Sequence, residues 1–208
     1  DIGCGPGMQT LDLAALLPEA EIQAVDAHEP FVAEGTRRAD AAGCADRVTF
    51  RVGDMRALAF PRDSFDLIWC EGAAYIMGVT EALETWRPLV KAGGYLAFTD
   101  AVWFSETPPQ TLLDWWQAEY PAMGDTQACI DKVVNAGYRM LGYFVLPESA
   151  WWDDYYDPME RRIAGLRIEF ENEPAALREL EAHQREIDCY RRWSEHYGYL
   201  FVVARKSH

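Results

Sequence analysis

The heptapeptide Asp1-Ile2-Gly3-Cys4-Gly5-Pro6-Gly7 opens the chain and runs directly into Met8–Leu17. There Leu11, Ala14, Ala15 and Leu16 give a helical stripe that stops at Pro18. Glycine is required where backbone takes positive φ or must approach a ligand closely. A glycine loop feeding a helix N-terminus can receive an anionic group on free N–H donors. The spacing here, G-x-G-x-G, differs in its third glycine from the G-x-G-x-x-G of dinucleotide-binding turns. An acid, Asp1, stands two residues before the first glycine. That acid would repel a pyrophosphate, yet it suits a cofactor carrying an ammonium group.

Outward from this loop, strand and helix signals alternate for the first hundred residues, the pattern of a parallel sheet flanked by helices. Ile22–Val25 reads as a strand ending in Asp26, and Pro30–Ala42 as a helix with Gly43 as its C-cap. Val48, Phe50 and Val52 alternate with polar residues as a strand closed by Gly53-Asp54. Phe65–Cys70 reads as a buried strand, Glu81–Val90 as a helix, and Tyr95–Thr99 as a strand entered through Gly93-Gly94. An acid at the position of Asp26 accepts hydrogen bonds from ribose hydroxyls. Asp54 can accept from an exocyclic amine of adenine. Asp1, Asp26 and Asp54 thus fall at the C-terminal ends of successive parallel strands, lining the crevice where such sheets bind ligands.

These residues resemble the class I S-adenosylmethionine-dependent methyltransferases. The resemblance rests on D-I-G-C-G-P-G at 1–7, A-V-D at 24–26, V-G-D-M at 52–55, F-D-L-I-W at 65–69 and L-V-K-A-G-G-Y-L at 89–96. More narrowly, E-G-A-A-Y-I-M-G at 71–78 and W-F-S-E-T-P-P at 103–109 resemble a bacterial group of small methyltransferases. The resemblance implies an α/β, three-layer Rossmann-like sheet, mostly parallel with an antiparallel edge strand. It implies S-adenosyl-L-methionine as cofactor and S-adenosyl-L-homocysteine as product. It places Asp1 near the methionine amine, Gly3, Cys4 and Gly5 under the cofactor, and Asp26 on the ribose. It also sets Ala27 beside the adenine, Asp54 and Met55 at its edge, and Glu71 beneath the sulfonium. In that family the first strand lies before the residue equivalent to Asp1, so an upstream segment carrying it is expected.

Composition narrows the classes. Half of the 208 residues are hydrophobic and a quarter charged, as in a globular protein rather than a disordered one. No apolar run approaches the roughly 18–20 residues of a membrane span, so no membrane partner is expected. The net charge of −15 argues against a nucleic-acid partner, which needs a basic face. Five scattered cysteines without a C-x-x-C fit a reduced, cytoplasmic setting and no metal. Cys4 and Cys70 read as small buried residues. His28, two residues past Asp26, either touches the cofactor or lies in a solvated loop.

Beyond residue 100 the chain turns aromatic. Only Phe31, Phe50 and Phe60 of its aromatic residues lie in the first 60 positions. Thr126–Ala136 reads as a helix capped by Gly137, and Tyr138–Leu146 and Tyr199–Ala204 as the last two strands. A single domain is expected, with a cofactor-binding half at 1–105. The remainder of the sheet and its flanking helices fall at 106–146 and 199–208, and an aromatic-rich helical lid at 147–198 is inserted between the last two strands. The amphipathic stretch 174–194 is either lid or homodimer face. Trp103, Trp116, Trp151, Trp152 and Tyr155 are the candidate acceptor-binding rings, or else the lid's own core; beside Asp153 and Asp154 they suit an organic cation or a flat aromatic acceptor. Glu71 is the candidate catalytic carboxylate and Tyr75 the residue that would orient an acceptor. The function expected is in-line methyl transfer to a small molecule. The alternatives are a protein or nucleic-acid methyltransferase, or a non-catalytic S-adenosylmethionine-binding module.

Overall fold

In the computed structural model, which describes residues 1–207, helices and parallel strands alternate from the first glycine loop onward. The elements are α1 (Met8–Leu16), β1 (Ile22–Asp26), α2 (Glu29–Ala41), β2 (Val48–Val52), β3 (Phe65–Cys70), α3 (Val79–Trp86) and β4 (Val90–Trp103). There follow α4 (Gln110–Glu119), α5 (Thr126–Asn135), β5 (Tyr138–Val145), α6 (Glu148–Trp151), a π-helical turn at Trp152–Tyr156, α7 (Asp157–Glu169), α8 (Pro174–Trp193) and β6 (Tyr197–Lys206). His208 lies outside the described residues.

The strands fall into a pair, β1-β2, and a four-stranded sheet ordered β3-β4-β6-β5. β1 pairs with β2 in parallel, Asp26 opposite Val52, and β3 pairs with β4 in parallel. Residues 1–3 connect the two groups. Ile2 N–H donates to Trp69 C=O at 2.9 Å, and Gly3 N–H to Val25 C=O at 2.8 Å. Val25 N–H returns to Asp1 C=O at 2.8 Å. Asp1–Gly3 therefore occupies the place between β1 and β3. From there β1 to β2 steps one way and β3 to β4 the other. Right-handed crossovers then put α2 and α3 on opposite faces, which makes three layers. The reversal of strand order at Asp1–Gly3 is a switch point, the position at which open sheets of this kind bind ligands.

The last two strands run in opposite directions. Leu146 N–H bonds Tyr199 C=O at one end of the pair, and Ser207 N–H bonds Gly137 C=O at the other. This is the expected antiparallel edge.

Several boundaries differ from the sequence expectation. Pro88 has no N–H to continue a helix, so α3 ends at Trp86 and a 3₁₀ turn, Arg87–Leu89, follows. Gly93-Gly94 does not begin a strand: β4 starts at Val90 and absorbs the glycine pair as a bulge, where the register shifts between Phe65 and Leu67. On α1 the buried positions are Thr10 and Ala14, whereas Leu16 is exposed. α7 was not foreseen, because its sequence, DPMERRIAGLRIE, carries only a weak apolar stripe.

The chain divides into two compact units: residues 1–100, 127–144 and 201–208, and residues 101–126 and 145–200. The lid expected at 147–198 therefore forms a unit together with 101–126. In the first unit, α1 and α2 pack on β1 and β2 through Ala14, Ile22, Ala39, Cys44 and Val48. In the second, Leu112, Ile163, Leu180 and Ile187 form a core with Trp151, Tyr156, Tyr190 and Tyr197. The apolar stripe of α8, with Leu180, Ile187 and Tyr190, is used up inside this core.

Candidate functional site

The glycine loop is shaped by its own hydrogen bonds. Gly3 and Cys4 N–H both donate to Val25 C=O, and Gly7 N–H donates to Cys4 C=O at 3.0 Å. Gly5 N–H donates to Asp26 Oδ2 at 2.8 Å. The N–H groups of Gly3, Cys4, Gly5 and Gly7 are thus already committed within the protein. Gly3 and Gly5 both take positive φ, 71° and 53°. A Cβ on Gly3 would lie 2.4 Å from the Cβ of Ala73, so the loop is closed on that side. A Cβ on Gly5 would meet nothing within 4 Å. Open space faces Gly5, beside the Asp26 carboxylate that holds its N–H.

Asp26 is held in two directions. Besides accepting from Gly5 N–H through Oδ2, its Oδ1 accepts from His28 N–H at 2.8 Å. Each oxygen keeps a further lone pair for a ligand. Gly53 N–H donates to Asp26 C=O at 2.9 Å, which brings the end of β2 beside the end of β1. Asp54, two residues on, accepts from Arg56 N–H at 2.8 Å through Oδ1. Met55 C=O accepts from Trp86 Nε1 at 2.9 Å, and the Met55 side chain lies near Gly3. Ala27 is exposed just past Asp26. His28 caps α2 and stacks edge-on against Phe31, their centroids 4.6 Å apart. Asp1 Oδ2 accepts from Thr10 Oγ1 at 2.6 Å.

Glu71 follows β3 on the same side of the sheet as these strand ends. Its Oε1 accepts from Trp69 Nε1 at 2.8 Å. Burial raises its pKa above the usual carboxylate range; the Trp69 hydrogen bond works against that shift, and the charge of Asp12 adds to it. The turn after Glu71 is pinned by Gly72 N–H donating to Thr99 Oγ1 at 2.7 Å. Tyr75 lies in the 3₁₀ turn Ala74–Ile76 with its ring exposed. Cys4 and Cys70 are buried, which pushes each thiol up to about 12. Both stay protonated near neutral pH, as expected of packing residues. Thr10, Trp69, Thr99 and Asp12 were not anticipated. Thr10 did leave a signal, as a polar residue one helical turn before the buried Ala14.

Among the described residues, no group of three or more His, Cys, Asp or Glu is placed to hold a metal ion. No helix among them is long and apolar enough to cross a membrane. The charge pattern fits S-adenosylmethionine: a carboxylate oxygen on Asp1 for an ammonium and a doubly braced carboxylate at Asp26 for a diol.

In the second unit the candidate rings meet different fates. Trp151 is 7 % exposed and lies among Tyr190, Tyr199 and Tyr156, at ring separations of 4.4, 4.6 and 5.6 Å. It is a core residue with no face left for a ligand. Trp152 carries the Arg191 guanidinium 5.1 Å from its ring centroid. Tyr155 is exposed. Trp103 and Trp116 pack edge-on against Tyr197. Together with Leu113, Asp114, Tyr120 and Met123 they line an open recess of about 350 Å3. Glu186, half-buried at the edge of that core, accepts from the Tyr156 hydroxyl at 3.2 Å.

Residues 1–94 match the model of a methyltransferase domain. The ubiquinone/menaquinone biosynthesis C-methyltransferase of Cereibacter sphaeroides is 32 % identical over 134 residues, covering 62 % of this chain and 52 % of that protein. The chain thus spans about half the length of that relative. The 27-O-demethylrifamycin SV methyltransferase of Amycolatopsis mediterranei is 27 % identical over 99 % of this chain and 76 % of its own. Among solved structures, a methyltransferase from Geobacter sulfurreducens in complex with S-adenosyl-L-homocysteine superposes with a TM-score of 0.80 at 21 % identity. That match covers 98 % of this chain and 82 % of the other.

Proposed function

We propose that the protein transfers a methyl group from S-adenosyl-L-methionine to a small-molecule acceptor: residues 1–94 match the model of a methyltransferase domain, and the chain has the fold of S-adenosylmethionine-dependent methyltransferases. One observation carries this reading: Asp1, Asp26 and Asp54 stand at neighbouring strand ends, and Asp26 holds the N–H of Gly5, whose bare face looks onto open space.

Asp1 accepts from the amine of the cofactor's amino-acid end. Asp26 accepts from the ribose hydroxyls with its two remaining lone pairs, and its own hydrogen bonds fix its orientation before ligand arrives. Asp54 and Met55 meet the adenine edge, and Ala27 flanks the ring. Gly3, Cys4 and Gly5 pass beneath the cofactor, and Gly5 supplies the bare face against which it can lie. S-adenosylmethionine, when bound, supplies an activated methyl on a sulfonium and leaves as S-adenosylhomocysteine. The transfer is an in-line displacement, so the protein's main work is to align the reactants and exclude water. Glu71 takes the acceptor's proton where the acceptor carries one; its raised pKa brings it closer to the range useful to a general base.

The names of the two relatives, one in quinone biosynthesis and one for a rifamycin, support a small organic acceptor. Trp103, Trp116, Trp152 and Tyr155, the candidate rings outside the buried core, are the residues we assign to it, and Tyr75 would orient its reacting group. The five unpaired cysteines support a reducing, cytoplasmic setting.

The test is to incubate the full-length protein with methyl-labelled S-adenosylmethionine and a small-metabolite extract, with mass spectrometry of the products. A labelled small molecule is expected from the wild type and not from Asp26→Ala. That variant should bind S-adenosylhomocysteine about 100-fold more weakly, since two hydrogen bonds to a charged group are lost and the loop loses its brace. Cofactor binding with no label in any small molecule would overturn the small-molecule reading.

A further inference from the structure

We propose that Thr10 is a positioning residue for the amino-acid end of the cofactor, acting through the Asp1 carboxylate. The inference rests on the reading of Asp1 given above. Thr10 is the third residue of α1 and is 0 % exposed. A helical threonine ordinarily turns its hydroxyl back to a carbonyl one turn earlier, or out to solvent. Here the hydroxyl donates to Asp1 Oδ2 at 2.6 Å. An ionised carboxylate accepts only, so the proton of this bond belongs to Thr10. The length is that of a charge-assisted O–H···O⁻ bond.

The consequence is geometric. The terminal torsion of an aspartate is soft and roughly two-fold, so an unrestrained carboxylate samples a wide arc. The Thr10 bond occupies one oxygen and fixes the plane of the group, leaving Oδ1 as the one to receive an ammonium. Asp1 is thereby braced by a side chain from α1, much as Asp26 is braced by the Gly5 and His28 amides. The ammonium then finds its acceptor already oriented, and affinity gains from what binding no longer has to order.

The test compares two ligands on three variants by calorimetry. S-adenosylhomocysteine carries the amino-acid end; 5′-methylthioadenosine has the same adenosine and thioether without it. Thr10→Val should bind S-adenosylhomocysteine about 10-fold more weakly, the scale of one hydrogen bond to a charged group. It should bind 5′-methylthioadenosine within about twofold of the wild type. Thr10→Ser, which keeps the hydroxyl, should restore both. Equal losses for the two ligands would make Thr10 merely structural and overturn the proposal, as would no loss for either. Asp1→Asn separates the two levels. If it weakens S-adenosylhomocysteine while Thr10→Val does not, the Thr10 inference alone fails. If Asp1→Asn is neutral, or the wild type binds neither ligand, the reading of Asp1 fails and takes Thr10 with it.

Discussion

The sheet unit and the aromatic unit of this chain hold their side chains by opposite means. Around the glycine loop, the candidate residues are acids, each fixed by one or two hydrogen bonds: Asp26 by the Gly5 and His28 amides, Asp1 by Thr10, Glu71 by Trp69. In the second unit, rings hold rings. Trp151, Tyr156, Tyr190, Tyr197 and Tyr199 are linked through stacked and edge-on contacts, and a carboxylate there, Glu186, is raised in pKa by burial. Hydrogen bonds specify orientation at small net energy, whereas large apolar surface supplies stability with little demand on direction. The first unit therefore fixes the direction of its acids, the geometry the proposed cofactor site calls for, and the second concentrates packing energy.

The sharpest way to break this division is Trp151→Ala. Removing a buried indole surrounded by three tyrosines should cost about 3–5 kcal/mol, seen as a lower urea midpoint. The folded protein should still bind S-adenosylhomocysteine within about threefold of the wild type. A loss of affinity as large as that of Asp26→Ala would show that the aromatic core encodes ligand geometry after all.

Within the sheet unit, two glycines offer a finer contrast. Gly3→Ala meets both a positive φ and the Ala73 side chain 2.4 Å away, and should lower stability by about 2–4 kcal/mol. Gly5→Ala meets the positive φ alone and should cost about 1–2 kcal/mol. If the space before Gly5 belongs to the cofactor, Gly5→Ala should nonetheless weaken S-adenosylhomocysteine binding by at least about 10-fold. Thermal melts and calorimetry on the pair separate the two effects. An affinity unchanged by Gly5→Ala would move the cofactor away from the loop.

What could be read from the sequence follows the same division. Asp26 and Asp54 were legible because a strand has a fixed period and ends where glycine and acid follow, so position along the chain became position at a strand end. The braces were mostly invisible, since Trp69 to Glu71 and Gly72 to Thr99 depend on which way side chains point, a matter of packing. The aromatic segment was legible only as composition. Nothing in its spacing distinguished Trp151, which is core, from Trp103 and Trp116, which line a recess, because burial there is decided by contacts between residues tens of positions apart. α7, with its weak stripe, gave too little periodic signal to be read, and β4 was read as starting only at Tyr95 because a glycine pair signals a turn more often than a bulge.

The smallest effect concerns Glu71, and its sign is the informative part. Burial raises its folded pKa above the ordinary carboxylate value, so the fold favours the neutral acid. That contribution is fully present below the unfolded pKa and is lost as pH rises through the folded one. At neutral pH the ionised group is a burden, and Glu71→Gln should melt slightly higher than the wild type. Because Glu71 is only partly buried, solvent screening limits the gain to no more than about 1 kcal/mol, or roughly 2–4 °C in a chain of this size. Below about pH 4 both side chains are neutral and the two melting curves should converge. A Glu71→Gln protein that melts lower than the wild type at pH 7 would mean that the Trp69 hydrogen bond stabilises the ionised carboxylate by more than burial costs it, and would remove the case for Glu71 as a base of raised pKa.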